Sequence, residues 1–169
     1  MKKAVFIRLD KIGDLVCTLP VDQIDGLIDW DITWVIAKGL SFVTDHAEPK
    51  RKYIELDKNN PSDSRARLEH FLKELRPDVA ISFQAPWWVQ LVLWKCRVPV
   101  RIGVRSKWDS FFFLNKGLRQ KRSRAVQHEA DYNLDLVRQM NIAVAETHAP
   151  VLKLVAPPAG NVLSKYGLQ

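Results

Sequence analysis

AVFIRLDKIGDLVCTLP, residues 4–20, is the stretch whose reading decides the fold. Ala4, Val5, Phe6 and Ile7 form an unbroken apolar run, as in a strand of a parallel sheet covered on both faces. Arg8, Asp10 and Lys11 end that run, and Leu15, Val16 and Leu19 begin an apolar stripe at helical spacing. Gly13 is read as the permissive turn between the two elements, with Asp14 at the helix start. A carboxylate so placed stands at a strand-to-helix mouth. In open parallel sheets ligands bind there, beyond the carboxyl ends of the strands.

The alternation continues along the chain. Pro20, Ile24, Leu27 and Ile28 predict a helix that ends near Asp29, and residues 32–36 a second strand followed by a short helical stretch at 42–46. A third strand is expected at 52–57. Pro61-Ser62-Asp63 is a helix-start signal, Leu68, Phe71, Leu72 and Leu75 share one helical face, and Pro77 stops that helix. Residues 79–83 read as the fourth strand and 87–94 as a buried or half-buried helix. Residues 100–104 read as the fifth strand, with Gly103 marking a close backbone approach. After a compact apolar element at 111–114 comes a basic loop, 116–124, and then a helix over 128–140 with Ala130, Leu134 and Val137 as its stripe. Strands alternating with helices predict an α/β three-layer sandwich with a mainly parallel sheet.

Composition sets the class. At 169 residues, with 47% hydrophobic and 27% charged residues, the chain has the make-up of one soluble globular domain. No apolar stretch approaches the roughly 20 residues that span a bilayer. Arg8, Asp10, Lys11 and Asp14 break up any secretory signal after Met1-Lys2-Lys3, so a cytoplasmic location is expected. The two cysteines lack metal-ligand spacing, and neither a metal nor a cofactor is expected. The net charge of +7 suits an anionic partner, whether nucleic acid, a phosphorylated sugar lipid or an acidic membrane surface, and by itself does not choose among them. No nucleic-acid recognition motif accompanies the basic loop, so nucleic acid is not expected as a partner.

The run IRLDKIGDLVCTLPV resembles the N-terminal signature of family 9 glycosyltransferases, the bacterial heptosyltransferases of lipopolysaccharide core assembly; Arg8, Gly13, Asp14, Thr18 and Pro20 fit it. LRPDVAISFQ, PVRIGVR, the Leu114-Asn115 pair and HEADYNLDLV extend the resemblance in matching order to about Met140. The resemblance implies a Rossmann-like N-terminal half of a GT-B enzyme: residues 1–150 as the acceptor-binding domain and 151–169 as the start of an interdomain linker. It implies inverting transfer of heptose from ADP-heptose to the inner core of lipopolysaccharide, at the inner face of the cytoplasmic membrane. ADP-heptose would be held by a second, C-terminal domain with no counterpart in these residues, so the chain is expected to be inactive alone. The rival expectation is a non-catalytic module that binds an anionic glycolipid or a protein through the same fold.

Candidate residues follow. By position alone Asp14 caps a helix; by the resemblance it is the catalytic base. Arg8, Lys11, Gly13, Thr18, Arg101 and Arg105 are candidates for holding the acceptor, the cations through its phosphate or carboxylate groups. A backbone-satisfied hydroxyl is the alternative for Thr18, and a surface charge for each cation. Arg119, Lys121 and Arg122 are candidates for contact with an anionic surface, against the simpler reading of a solvated loop. Glu129 is read as a helix-terminal charge, and Trp87 and Trp88 as core rather than sugar-stacking residues.

Overall fold

In the computed structural model, which describes residues 1–106, 108–124 and 126–155, the opening apolar run becomes the central strand of a six-stranded sheet. In chain order the elements are β1 (Lys2–Arg8), α1 (Ile12–Thr18), β2 (Trp30–Ala37), α2 (Ser41–Asp45), β3 (Ala47–Glu48), β4 (Lys52–Leu56) and α3 (Pro61–Leu75). They continue with β5 (Val79–Gln84), α4 (Trp87–Lys95), β6 (Val100–Val104), α5 (Trp108–Phe113), β7 (Lys116–Leu118), α6 (Glu129–Arg138) and β8 (Lys153–Leu154). The large sheet runs β4-β2-β1-β5-β6-β7, with every neighbouring pair parallel. From β1 the chain builds outward to β4, then returns to pair β5 on the other side of β1. The crevice between β1 and β5 is therefore the topological switch point, where ligands of such sheets bind.

Period-two alternation divides the core into two layers. Ala4 and Phe6 face one side, where α1 and α6 contribute Leu15, Leu134 and Val137. Val5 and Ile7 face the other, where α3 and α4 contribute Leu68, Leu72, Val89 and Leu93. The three-layer parallel α/β architecture expected from the sequence is borne out. Aromatic packing ties the three central strands on the first face: Phe6 meets Trp34 edge-on at 5.3 Å and Phe83 at 5.5 Å. The pairing of β1 with β5 slips by one residue between Ile7↔Ser82 and Arg8↔Gln84, a bulge at the mouth that carries the site.

Three local expectations are corrected. No α-helix forms after Pro20; two short 3₁₀ turns cover Leu19–Gln23 and Asp25–Leu27. Tertiary bonds decide this, because the Asp22 carboxylate accepts Trp34 Nε1 at 2.8 Å and both Nε and Nη2 of buried Arg51, at 2.6 and 2.8 Å. Gly13 makes no turn: it lies inside the first turn of α1, and a methyl there would meet open space. The basic segment is not a loop throughout, since Lys116–Leu118 is an edge strand parallel to β6. Gly117 makes that contact possible with φ 140°, a region other residues rarely adopt, and a Cβ there would stand 2.0 Å from the Gly103 carbonyl oxygen. Gly103 itself sits tight against Leu114 and the Ser82 carbonyl, the close approach expected of it.

Beyond position 150 the chain stays attached, because Lys153–Leu154 pair antiparallel with Ala47–Glu48. Residues 156–169, most of the expected linker, lie outside the described residues. Among the described residues no helix is long and apolar enough to cross a membrane.

Phe6→Ala removes the ring shared by the Trp34 and Phe83 contacts at a fully buried position. It should cost about 3–5 kcal/mol of stability, read as a lowered urea midpoint.

Candidate functional site

The site grows from Arg8, the last residue of β1. Alternation sends its side chain to the α1 and α6 side, where only 2% of the residue is exposed. A buried guanidinium must be paired and hydrogen-bonded. Nε and Nη2 donate to the two oxygens of Asp10 at 2.6 and 3.0 Å, a bidentate grip. Nη2 also lies 3.2 Å from Asp14 Oδ1, while Nη1 donates to Glu129 Oε1 and Asn133 Oδ1, both at 3.3 Å. Arg122 closes the cluster from the other side: it donates through Nη1 to the same Glu129 oxygen, and through Nη2 to Asn133 Oδ1 at 3.2 Å. Glu129 and Asn133 are one helical turn apart on α6, so a single helix face spaces the two guanidinium groups.

Two cations thus face three carboxylates, Asp10, Asp14 and Glu129. Burial pushes the Asp10 carboxyl above its ordinary value; Arg8 opposes that shift, and the neighbouring charge of Asp14 adds to it. Burial likewise lowers the Arg122 guanidinium, with Glu129 opposing. Asp14 stands in the first turn of α1 with its side chain 35% exposed. The helix has Lys11 at its N-cap without a side-chain cap, and Asp14 Oδ1 faces Arg8. A carboxylate fixed on one side by a guanidinium, with a face open to solvent, is placed to take a proton from a bound hydroxyl.

Beside this cluster, past the carboxyl ends of β5 and β6, lies a cleft of about 690 Å³. Ser82 and Gln84 lie at its floor, Trp87 of α4 and Trp108 of α5 line it, and Gln120 and Arg122 join it to the Arg8 cluster. Gln90 also lines it, and its buried Oε1 has no hydrogen-bond partner. Aromatic faces with neutral amides and hydroxyls suit a hydroxyl-rich ligand.

The expected residues divide accordingly. Arg8, Gly13 and Asp14 gather at the mouth, and exposed Lys11 adjoins it. Thr18 faces inward instead: fully buried, it donates its only proton from Oγ1 to the Asp14 carbonyl at 2.6 Å and accepts Asn133 Nδ2 at 3.0 Å, so its hydroxyl is spent on the fold and closed off from solvent. Arg101 is also structural. It donates to the carbonyls of Phe113 at 2.7 Å and Val98 at 2.6 Å, which pins the passage from α5 into β7. Arg105 donates to the Leu114 carbonyl at 2.8 Å and lies over the Phe111 ring. Arg119 and Lys121 are exposed as expected of surface cations, but Arg122 is not; its guanidinium belongs to the cluster. Trp88 is buried in the α3–α4 core, whereas Trp87 is half exposed at the cleft. Sequence reasoning missed Glu129 and Asn133. Their signal was the four-residue spacing inside HEADYNLDLV, which puts both on the face that meets β1.

No family model matches the chain. A putative glycosyltransferase of Haemophilus influenzae is 31% identical over 166 residues, a match covering 90% of this chain and 45% of that protein. The crystal structure of a family 9 glycosyltransferase from Veillonella parvula superposes with a TM-score of 0.75 over 99% of this chain, at 24% identity. Its fold is that of the family 9 glycosyltransferases. An E. coli ADP-heptose lipopolysaccharide heptosyltransferase II superposes over the whole chain with a TM-score of 0.69 and 16% identity. The chain spans about half the length of each: 45% of the curated relative and 51% of both solved structures. In this glycosyltransferase fold the Arg8 cluster sits at the switch point of the sheet, with the cleft beside it.

Asp10 provides a direct test of the electrostatics. Its folded value lies above the ordinary 3.8, so the unfolded chain releases this proton first. Asp10 accordingly subtracts stability as pH rises from its ordinary value through its raised midpoint, and not below that window. Carboxyl NMR should find the Asp10 midpoint above 3.8, and Asp14→Asn should move it down by removing one of the charges that raises it. An unchanged midpoint in the variant would show that the two carboxylates do not interact.

Proposed function

We propose that this chain is the acceptor-binding, base-bearing half of an inverting glycosyltransferase that moves heptose from ADP-heptose to an inner-core lipopolysaccharide intermediate. The observation that carries this reading is the Asp14 carboxylate, held 3.2 Å from Arg8 at the switch point and still 35% exposed. In the step, Asp14 takes the proton of the acceptor hydroxyl while that oxygen bonds to the anomeric carbon from the face opposite the nucleotide. The bond from that carbon to the diphosphate oxygen breaks, and ADP leaves with the electron pair. One carboxylate suffices for such a displacement.

The chain's other residues have supporting tasks. Arg8 fixes the position of Asp14, and Glu129 and Asn133 hold Arg8. Because Arg8 and Arg122 are already neutralised by carboxylates, the acceptor's phosphate or carboxylate groups go to Lys11 and the exposed rim cations, and its sugar hydroxyls to Gln84, Gln90 and Gln120. The open space beside Gly13 leaves room for the acceptor next to the base. The donor and its leaving diphosphate are assigned to the half of the relatives' length that this match does not span. The likeness in fold to the E. coli ADP-heptose lipopolysaccharide heptosyltransferase II supports this choice of donor and acceptor.

Asp14→Asn, placed in a chain carrying both halves, should lower kcat by roughly 10²–10⁴ while acceptor binding is retained. Transfer is followed by mass spectrometry of the lipid product. Undiminished transfer would remove Asp14 from the chemistry and the proposal with it.

A further inference from the structure

Formal charge is distributed unevenly along this chain. Residues 105–124 contain seven Lys or Arg against one Asp, so this stretch holds all but one unit of the net +7. The same stretch places Trp108 and Phe112 in water at 73% and 71% exposure, with Phe111 at 46%. Next to it, α4 leaves Trp87 and Trp94 half exposed.

These side chains make one surface. Trp94 lies 6.0 Å from Phe113 of α5, Trp108 and Phe112 meet edge to face at 6.0 Å, and Trp87 and Trp108 line the same cleft. Cations are interleaved with the rings, since the guanidinium groups of Arg105 and Arg119 lie 5.6 and 5.5 Å from the Phe111 centroid. Arg119, Lys121 and Arg124 are exposed around them. An apolar patch of this kind marks an interaction site, and its charge decides the partner. Tryptophan and its neighbours are favoured at the headgroup level of a bilayer, and Lys and Arg beside them are drawn to anionic lipid.

We infer that the α4–α5 face is a seat for an anionic bilayer, with Trp108 and Phe112 entering the headgroup layer while Arg119, Lys121 and Arg124 meet lipid phosphates. The cleft mouth between Trp87 and Trp108 then opens at the membrane surface, where the headgroup of a lipid-borne acceptor lies. That purpose rests on the glycolipid reading above; the docking itself does not require transfer.

The test is flotation of the full chain with vesicles of phosphatidylcholine, with and without phosphatidylglycerol, together with its tryptophan emission. The chain should float with the phosphatidylglycerol vesicles and not with phosphatidylcholine alone, and its emission should shift to the blue. Trp108→Ala/Phe112→Ala alters only exposed rings, keeps the circular dichroism of the parent, and should bind roughly tenfold more weakly. Arg119→Glu/Lys121→Glu should lose binding at low ionic strength by at least a similar factor. Failure of the parent chain to float, or equal flotation of parent and both variants, would overturn the inference. So would dimerisation that the double aromatic variant abolishes in the absence of vesicle binding, which would make this face a protein contact. Asp14→Asn should float like the parent, so failure of the transfer proposal and failure of the docking proposal are read separately.

Discussion

A single guanidinium, buried where β1 ends, organises the functional half of this molecule. Arg8 has 2% of its surface in water and is gripped by three carboxylates and an amide that come from its own loop, from α1 and from α6. Such a charge tolerates burial only when every donor is met, and removing one partner of a buried pair typically costs about 3–5 kcal/mol. Arg8 therefore fixes where α1 begins and where α6 lies. Arg122 repeats the logic from the far side of Glu129, so one carboxylate holds two guanidinium groups and brings the basic segment back against the sheet. The outcome is a rigid mouth at which Asp14 has one face committed and one face free.

The sheet around that mouth follows from ordinary forces. Alternating apolar residues on β1, β2 and β5 supply two core layers at once, and the Phe6, Trp34 and Phe83 rings lock the three strands in register on one of them. The one-residue slip between β1 and β5 falls at the switch point, where a bulge redirects Gln84 toward the cleft without disturbing the buried rungs below it.

How much of this was legible in the sequence depended on the range of the forces involved. Apolar runs at 4–7 and 79–83, the Pro61 start signal and the stripe from Leu68 to Leu75 report local geometry, and the elements they predict are present. The place of Asp14 at the start of α1 was also readable, because the apolar stripe that begins at Leu15 marks the helix there. The segment after Pro20 misled, since its conformation is set by Asp22 reaching Trp34 and Arg51, 12 and 29 residues away. Thr18 and Arg101 misled in another manner: each has a residue type suited to ligand binding and a backbone carbonyl within reach that claims it first. The four-residue spacing of Glu129 and Asn133 marks a shared helix face, but the partners that these two and Arg122 meet were beyond local reading. The contacts from Arg8 to Glu129 and Asn133 span 121 and 125 residues, and no pattern short of the folded sheet brings those positions together.

The glycine pair at the sheet edge has a consequence for how such a protein can diverge. β7 is three residues long, and its hold on β6 depends on one position, Gly117, where a methyl group would strike the Gly103 carbonyl. Beyond that contact the segment that follows is held by Arg122 and by Gln120, whose Nε2 donates to the Tyr132 carbonyl, while Arg119, Lys121 and Arg124 are exposed. The geometry of the edge and the charge of the rim are thus assigned to different residues of one short segment. Substitutions can recolour the rim, from basic to neutral or acidic, without asking the sheet for any compensation, and the charge of this surface can change while the Arg8 mouth beside it keeps its geometry.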